Sequence, residues 1–490
     1  MKKKAIAALA AAIMFFSTIV CAQEYDSYIV KLKKTNGISL MSAENSVLEP
    51  VVEEWGFYKV SADELEGLDM SRVEYVEPNY KIELLDEYPN DPFFSSQWNM
   101  SLVNAPYAWS RGFFGSGVKV AVFDSGIDTD HPDLVGRIKL AKDYTHNDNA
   151  EDVKGHGTMV SGIIGAAINN GVGVAGLSQA DIYSFKIIHN GSSNEYDASS
   201  EVLFQAMHDA VKSYGCSIMN LSLGFTSETG SFSPKDVKAF NDAVNEVYKE
   251  GAIVIAASGN DANKGNPITY PAACDNVISV GAVDKNKNIA PYSTYNNMVD
   301  VVAAGGASGG GVVSTAIGGD YASGRGTSFA APQVSAAAAI VKGIRPDLTY
   351  EKMNSLLKYS AEDLGEVGHD EYYGWGLLNM EKLIRLAQGG ENSLMCVTPI
   401  YDAKSNSLTV SYYNGSNKAG ENVCLCAAVY SGSGMSYISQ PRTVTFPCGD
   451  ETEVVFENIS AESGDKIKVL CFKNLENIMP ASDAAELEIK

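Results

Sequence analysis

The 490-residue chain is short of positive charge. Its 37 lysines and arginines stand against 60 aspartates and glutamates, a formal net charge of −23. Phosphate backbones are bound by basic surfaces, so nucleic acid is excluded as a partner class. Past Ala22 no apolar run is long enough to span a bilayer. Neither a C-x-x-C pair nor H-E-x-x-H occurs, which leaves zinc chemistry without its usual ligand spacing. Histidine is scarce, six in all, so one in a special local setting stands out. The eight cysteines include Cys21, which would leave with an export signal. The rest are then odd in number, and at least one thiol is free or paired between chains.

What is present begins with a segment built for export. Lys2 to Lys4 form a positive start, Ala5 to Val20 an apolar stretch, and Cys21 and Ala22 a small-residue end. The bulky Val20 before Cys21 fits lipoprotein processing poorly, so residues 1–22 read as a cleaved signal and the protein as secreted, with cell-surface association as a further option. The length that remains calls for about two to four domains. Residues 23–87 form a small acidic unit with strand-like pieces, "YDSYIVKLKK" and "VEYVEPNYKIEL". The linker "LDEYPNDPFF" leads into residues 88–390, where apolar runs alternate with amphipathic stretches. "VKVAVF", "DIYSFKII", "SIMNLSL", "GAIVIAA" and "NVISVGAV" are apolar along their whole length, as strands buried on both faces are. With helical patterns over 198–212 and 234–248 between them, they predict an α/β fold: a parallel sheet with helices on both faces. Residues 391–490 switch to short alternating runs with Gly, Asn and Ser turns, which predicts a separate β-sandwich module.

Four short stretches of the α/β region carry chemistry. In "VKVAVFDSGID", Asp124 directly follows a buried strand, where open parallel sheets place their sites, and Gly126 permits a tight turn beneath it. Asp128, Asp130 and Asp133 nearby read as loop or capping residues. In "GHGTMVSGIIGAAI", His156 opens an apolar helix between two glycines. In "GRGTSFAAPQVSAAAAIV", Ser328 stands where a glycine-rich loop meets an alanine-rich helix, with Pro332 near enough to the start to be tolerated. A serine there is ordinarily an N-cap. A hydroxyl becomes a nucleophile, however, when an imidazole takes its proton and a carboxylate holds that imidazole. The fourth stretch, "IVIAASGND", offers Asn260, whose amide together with the backbone N–H of Ser328 could bind an oxyanion. The G-x-S-x-G match at Gly306–Gly310 lacks the strand-before and helix-after of an esterase elbow, so Ser308 reads as loop.

"DSGID", "HGT", "SGN" and "GTSFAAP", in that order, resemble the signatures of the subtilisin-like (subtilase) serine peptidases, with "NLSLG" and "YGWGLLN" extending the match over most of 91–388. The resemblance implies a secreted serine endopeptidase acting on protein or peptide substrates, made as an autoprocessed zymogen. Asp124, His156 and Ser328 would be its triad, with Asn260 in the oxyanion hole and no cofactor for catalysis. Ser222, Leu223, Gly224, Ala257, Ser258 and Gly259 would line the primary specificity pocket, with Thr269 at its floor and Asp261 near its rim. Such walls suit a medium-sized uncharged side chain, and backbone at 191–195 would pair with an extended substrate. Residues 23–87 resemble an inhibitory propeptide, cut between Leu84 and Glu87 because Pro89 disfavours a cut after Tyr88. A structural calcium site is implied at Asp133, the Asn170 side chain and backbone of Ile168, Val172 and Val174, with Asp91 joining. Met159 stands where the family often has a second histidine. Arg325 stands where it commonly has a small or polar residue, on the edge facing the leaving side of the substrate. Two other readings compete: a binding protein whose C-terminal module does the work, and an esterase resting on Ser308.

Overall fold

The computed structural model describes residues 27–33, 48–52, 55–61, 72–79, 89–145, 149–190, 196–226, 237–388, 394–396, 399–414, 421–431, 434–446, 451–474, 479–480 and 485–488. The export segment 1–22, the junction 84–87 and the backbone at 191–195 lie outside them. The chain divides into two compact units, residues 1–87 and 88–490. In the first, β1 (Ser27–Leu32), β2 (Glu49–Val52), β3 (Phe57–Ser61) and β4 (Val73–Pro78) form an antiparallel sheet in the order β2-β3-β1-β4. Val30, Val60 and Val73 make its small buried core.

The second unit is built on a parallel sheet of seven strands. These are β5 (Lys119–Asp124), β6 (Ile138–Asp143), β7 (Asp181–Lys186), then, past the two-residue ladder β8 (His189–Asn190) and β9 (Tyr196–Asp197), β10 (Ile218–Leu221), β11 (Ile253–Ala257), β12 (Val277–Val283) and β13 (Val301–Ala304). They stand in the order β13-β12-β11-β10-β5-β7-β6. The helices are α1 (Trp98–Leu102), α2 (Ala105–Trp109), α3 (His156–Gly165), α4 (Ser200–Lys212), α5 (Lys238–Lys249), α6 (Thr327–Ile344), α7 (Tyr350–Ser360) and α8 (Met380–Gln388). Alternate strand residues enter two different cores. Val120, Val122, Ile218, Ile253 and Ile255 pack with α6, α7 and α8. Ala121, Phe123, Met219, Leu221, Val254 and Ala256 pack with α4 and α5 on the opposite face. Strands sandwiched in this way must be apolar on both sides, which is why they read as unbroken apolar runs. From β5 the chain runs to the edge strand β6, returns to β7 beside β5, then crosses to β10 and moves outward to β13. The carboxyl end of β5 is therefore a switch point of the sheet, where such folds open a crevice.

A hairpin, β14 (Val312–Ala316) with β15 (Asp320–Gly324), leads directly into α6. Its first strand is tied to α3: Ser314 Oγ donates to Met159 O at 2.7 Å and Thr315 Oγ1 to Thr158 O at 2.7 Å. Ala307 and Gly310 exchange both backbone hydrogen bonds, so Ser308 occupies a tight turn rather than a strand-to-helix elbow.

From residue 394 two antiparallel sheets face one another. One holds β16 (Leu394–Cys396), β17 (Ile400–Asp402), β18 (Ser407–Asn414) and β22 (Glu451–Glu457); the other is centred on β19 (Glu421–Ser431) and β23 (Lys466–Asn474), with β20 (Gly434–Ile438) and β21 (Arg442–Phe446) beside β19. Leu408, Val410 and Tyr412 from the first meet Val423, Leu425, Ala427 and Val469 from the second. This sandwich is docked rather than detached. Tyr413 of β18 belongs to the main core, and its ring stacks on Tyr359 of α7 at 5.4 Å between centroids.

Candidate active site

Asp124 ends β5 almost wholly buried, with its side chain 1 % exposed. Isolating a carboxylate this way is costly unless donors surround it. Ser125 N donates to its Oδ1 at 2.7 Å, and His156 Nδ1 lies 2.8 Å from Oδ1 and 2.9 Å from Oδ2. That contact places the imidazole proton on Nδ1 and leaves Nε2 free as a base. Close approach of α3 to the strand depends on Gly157, where a Cβ would meet Gly126 O at 2.2 Å and Asp124 Cβ at 3.0 Å.

A second carboxylate, which inspection of the sequence did not single out, holds this corner together. Asp152 accepts from Ser125 Oγ at 2.9 Å and from the N–H groups of Lys154 and Gly155 through Oδ1, and from Thr158 N and Oγ1 through Oδ2. Ser125 Oγ in turn accepts from Gly157 N at 3.0 Å. Asp152 thereby fixes the loop from which His156 emerges. The "DVKG" stretch is a turn signal of the kind in which Asp binds backbone N–H two or three residues on. Burial alone would push the His156 pKa down. The charge and hydrogen bond of Asp124, aided by the charge of Asp152, outweigh it and hold the imidazole above its ordinary value.

Ser328 is the second residue of α6 and is not its N-cap. That position belongs to Gly326, and no side chain caps the helix from it. The serine hydroxyl is thus not spent on capping, and its backbone N–H is among the first four of the helix, which have no partner within it. The capping work falls to Asn260 instead: its Oδ1 accepts from Thr327 N at 2.8 Å and from Thr327 Oγ1 at 3.1 Å. With Oδ1 so engaged, the amide Nδ2 is left to donate elsewhere. The point a Cβ on Gly326 would occupy lies 2.9 Å from Ser328 Oγ and 3.4 Å from Asn260 Nδ2, so hydroxyl and amide flank one spot. His156 adjoins the same turn, its ring edge-on to that of Phe329 at 5.9 Å.

Pro332 lies at the sixth helical position, past the first turn where its missing N–H would cost nothing. Its absent donor frees the carbonyl of Ser328, and Ser222 Oγ donates to that oxygen at 2.9 Å. The next carbonyl, Phe329 O, accepts from Gln333 Nε2 at 2.8 Å. A strand-end serine therefore repairs the helix at the residue that carries the hydroxyl.

An imidazole backed by a carboxylate, a buried hydroxyl at a helix start and an amide beside it can together perform acyl transfer. The family model of the subtilase family matches residues 115–376. The chain is 34 % identical over 366 residues to an alkaline protease of Alkalihalobacillus alcalophilus, covering 73 % of this chain and 88 % of that protein. The chain belongs to the subtilase family. It is also similar to subtilisin Savinase of Lederbergia lenta, 39 % identical over 293 residues, which is 59 % of this chain and 99 % of that one. Among solved structures, a protease from Pseudoalteromonas arctica superposes with a TM-score of 0.54 at 29 % identity, over 61 % of this chain and 99 % of that one. The subtilase is thus a serine endopeptidase by family, with a subtilisin-like α/β fold.

In this subtilase the six residues expected in the primary pocket do different things. Ser222 spends its hydroxyl on Ser328 O, and Ser258 Oγ donates to Thr294 O at 2.9 Å. Leu223 is half-buried against the core under α4 and α5, and Ala257 is buried in the main core. Gly224 and Gly259 close over Thr269. A Cβ on the first would meet Thr269 Cγ2 at 2.5 Å and one on the second Thr269 Oγ1 at 2.2 Å. Thr269 Oγ1 is buried without a partner among the described residues. Asp261 pairs with Lys264 at 2.9 Å, which partly offsets its charge at the rim.

Asp91, Asp133 and the 168–174 loop come together through a set of N–H donors. Asn170 turns its Nδ2 to Asp133 Oδ1 at 2.8 Å, and Val174 N donates to Asp133 Oδ2 at 2.8 Å. Asn170 Oδ1 accepts from Val172 N, while Asp91 accepts from Asn169 N at 2.8 Å and Asn170 N at 3.3 Å. Calcium binds through oxygens, and each carboxylate keeps lone pairs beyond those that these N–H groups engage. Burial pushes both carboxyls above their ordinary pKa, most strongly opposed by these backbone N–H groups.

Proposed function

We propose that the protein is a secreted serine endopeptidase, made as a zymogen, in which Ser328 attacks the scissile carbonyl. His156 takes the serine proton at Nε2 and passes it to the leaving amine. Asp124 holds the imidazole in the required tautomer and stabilises its charged form. The tetrahedral oxyanion is met by Asn260 Nδ2 and the N–H of Ser328. The observation that carries this reading is the 2.8 Å contact of His156 Nδ1 with Asp124, beside a hydroxyl and an amide that flank one spot.

Secretion is supported by the export-type residues 1–22, and by similarity to proteins such as the minor extracellular protease of Bacillus subtilis. Residues 23–87 would serve as an intramolecular inhibitor, released by a cut between Leu84 and Glu87. Expression of the full chain and of Ser328→Ala tests both parts. The wild type should digest casein and begin, by N-terminal sequencing, between Leu85 and Glu87. Ser328→Ala should be inactive and keep residues 23–87. Casein hydrolysis by the variant, or a mature start upstream of Tyr80, would refute the reading.

A further inference from the structure

Arg325 is the residue of the nucleophile loop that the triad chemistry does not use. It is exposed, three residues before Ser328, with glycines on either side. Gly324 presents no side chain and could not: a Cβ there would lie 2.2 Å from the Phe329 ring. Among the described residues Arg325 forms no side-chain hydrogen bond or ion pair. Its charge acts on the Tyr292 phenol, which is itself committed to Gly305 O at 2.8 Å and Gly306 O at 2.6 Å. In a chain of net charge −23, a free cation beside the nucleophile is conspicuous.

The fold says which side of the substrate it faces. On the pocket that the family resemblance implies, the acyl side is bounded by the ends of β10 and β11, where Ser222, Gly224 and Gly259 lie. Arg325 instead ends the β14–β15 hairpin, which is tied by Ser314 and Thr315 to α3, the helix that carries His156. His156 must hand its proton to the departing amine, so this is the leaving side. The chain's own sequence offers a matching substrate. The proposed cut lies between Leu84 and Glu87, and wherever it falls in that stretch Asp86 or Glu87 stands in the first two positions after it.

Resting on the peptidase reading above, we propose that Arg325 selects the leaving side of the substrate. It favours peptides with Asp or Glu in the first two positions after the cut, the protein's own junction among them. The guanidinium pairs with the carboxylate in the encounter and lets it go with the amine product, so no group other than the peptide bond changes covalently.

Internally quenched peptides copying residues 80–91, with Asp86 and Glu87 kept, replaced by Asn and Gln, or replaced by two lysines, test this. Rates are compared within each enzyme, so a variant with a lower overall rate still reports. For the wild type, kcat/KM should favour the acidic peptide over the neutral one by about two- to five-fold, and over the lysine peptide by more. Arg325→Gln should flatten this order and Arg325→Glu should invert it. Roughly 1 M salt should erase it in the wild type, a readout that stands even if neither variant matures. Equal ratios in all three enzymes, or a wild-type ratio insensitive to salt, overturn the inference while peptide and casein cleavage leave the peptidase reading standing. Failure of the wild type to cleave peptides or casein overturns both.

Discussion

His156 carries two opposed influences, and their balance sets a measurable pH limit. Burial disfavours its charged form, while Asp124 and Asp152 favour it, and the net effect raises its pKa. Catalysis needs the neutral imidazole, so kcat/KM should fall as pH drops through a value above the ordinary histidine range. Asp124→Asn removes the charge and the correct tautomer but leaves the burial. The acid limb should then move to lower pH, and kcat should fall by about 10⁴-fold. A pH profile whose acid limb does not move in this variant would break the assignment of Asp124. The three triad candidates and Asn260 were legible because each stands in a short stretch with a buried strand or helix on one side of it. Asp152, Thr327 and the hydrogen bond of Ser222 to Ser328 O were not legible, because their partners lie across the fold rather than along the chain.

At the scale of elements, α6 shows how a helix tolerates proline past its first turn. Pro332 leaves Ser328 O without its helical donor, and Ser222 Oγ supplies one. Ser222→Ala leaves that carbonyl buried and unpaired, a cost of about 1–3 kcal/mol. Calorimetry of the covalently inhibited enzyme should show the drop in melting temperature. In a Pro332→Ala background the helix regains its own N–H, so the same substitution should cost less. Strict additivity of the two changes would contradict this. The 168–174 loop makes a parallel case. It is held by Asp91, Asp133 and Asn170 through N–H donors, and calcium bound by the same carboxylates would add to that hold, so EDTA should lower the melting temperature relative to added calcium. An unchanged melting temperature in EDTA would mean that the loop is closed by its own hydrogen bonds alone. Strands β5, β10, β11 and β12 were legible as unbroken apolar runs because helices cover both faces. β6 was passed over: "IKLAKD" is an edge strand with lysines, none of its residues fully buried. β13 was passed over as well, being only "VVAA".

For the molecule as a whole, the question is which of its many nucleophiles reacts. The other candidates are disarmed by their surroundings. Ser308 sits in a tight turn, and burial pushes the Cys216, Cys274 and Cys426 thiols up to about 12, where they stay protonated. The C-terminal sandwich, legible from its alternating pattern, was expected as a separate module. It shares a core with α7 through Tyr413, a contact between segments some fifty residues apart that no local pattern encodes. The most direct measurement is to label the intact mature protein with a fluorophosphonate and locate the adduct by mass spectrometry. A single adduct on Ser328, absent when His156 is replaced by Ala, is the expected result. An adduct on Ser308 or any other residue, or labelling of Ser328 undiminished without His156, would contradict the account.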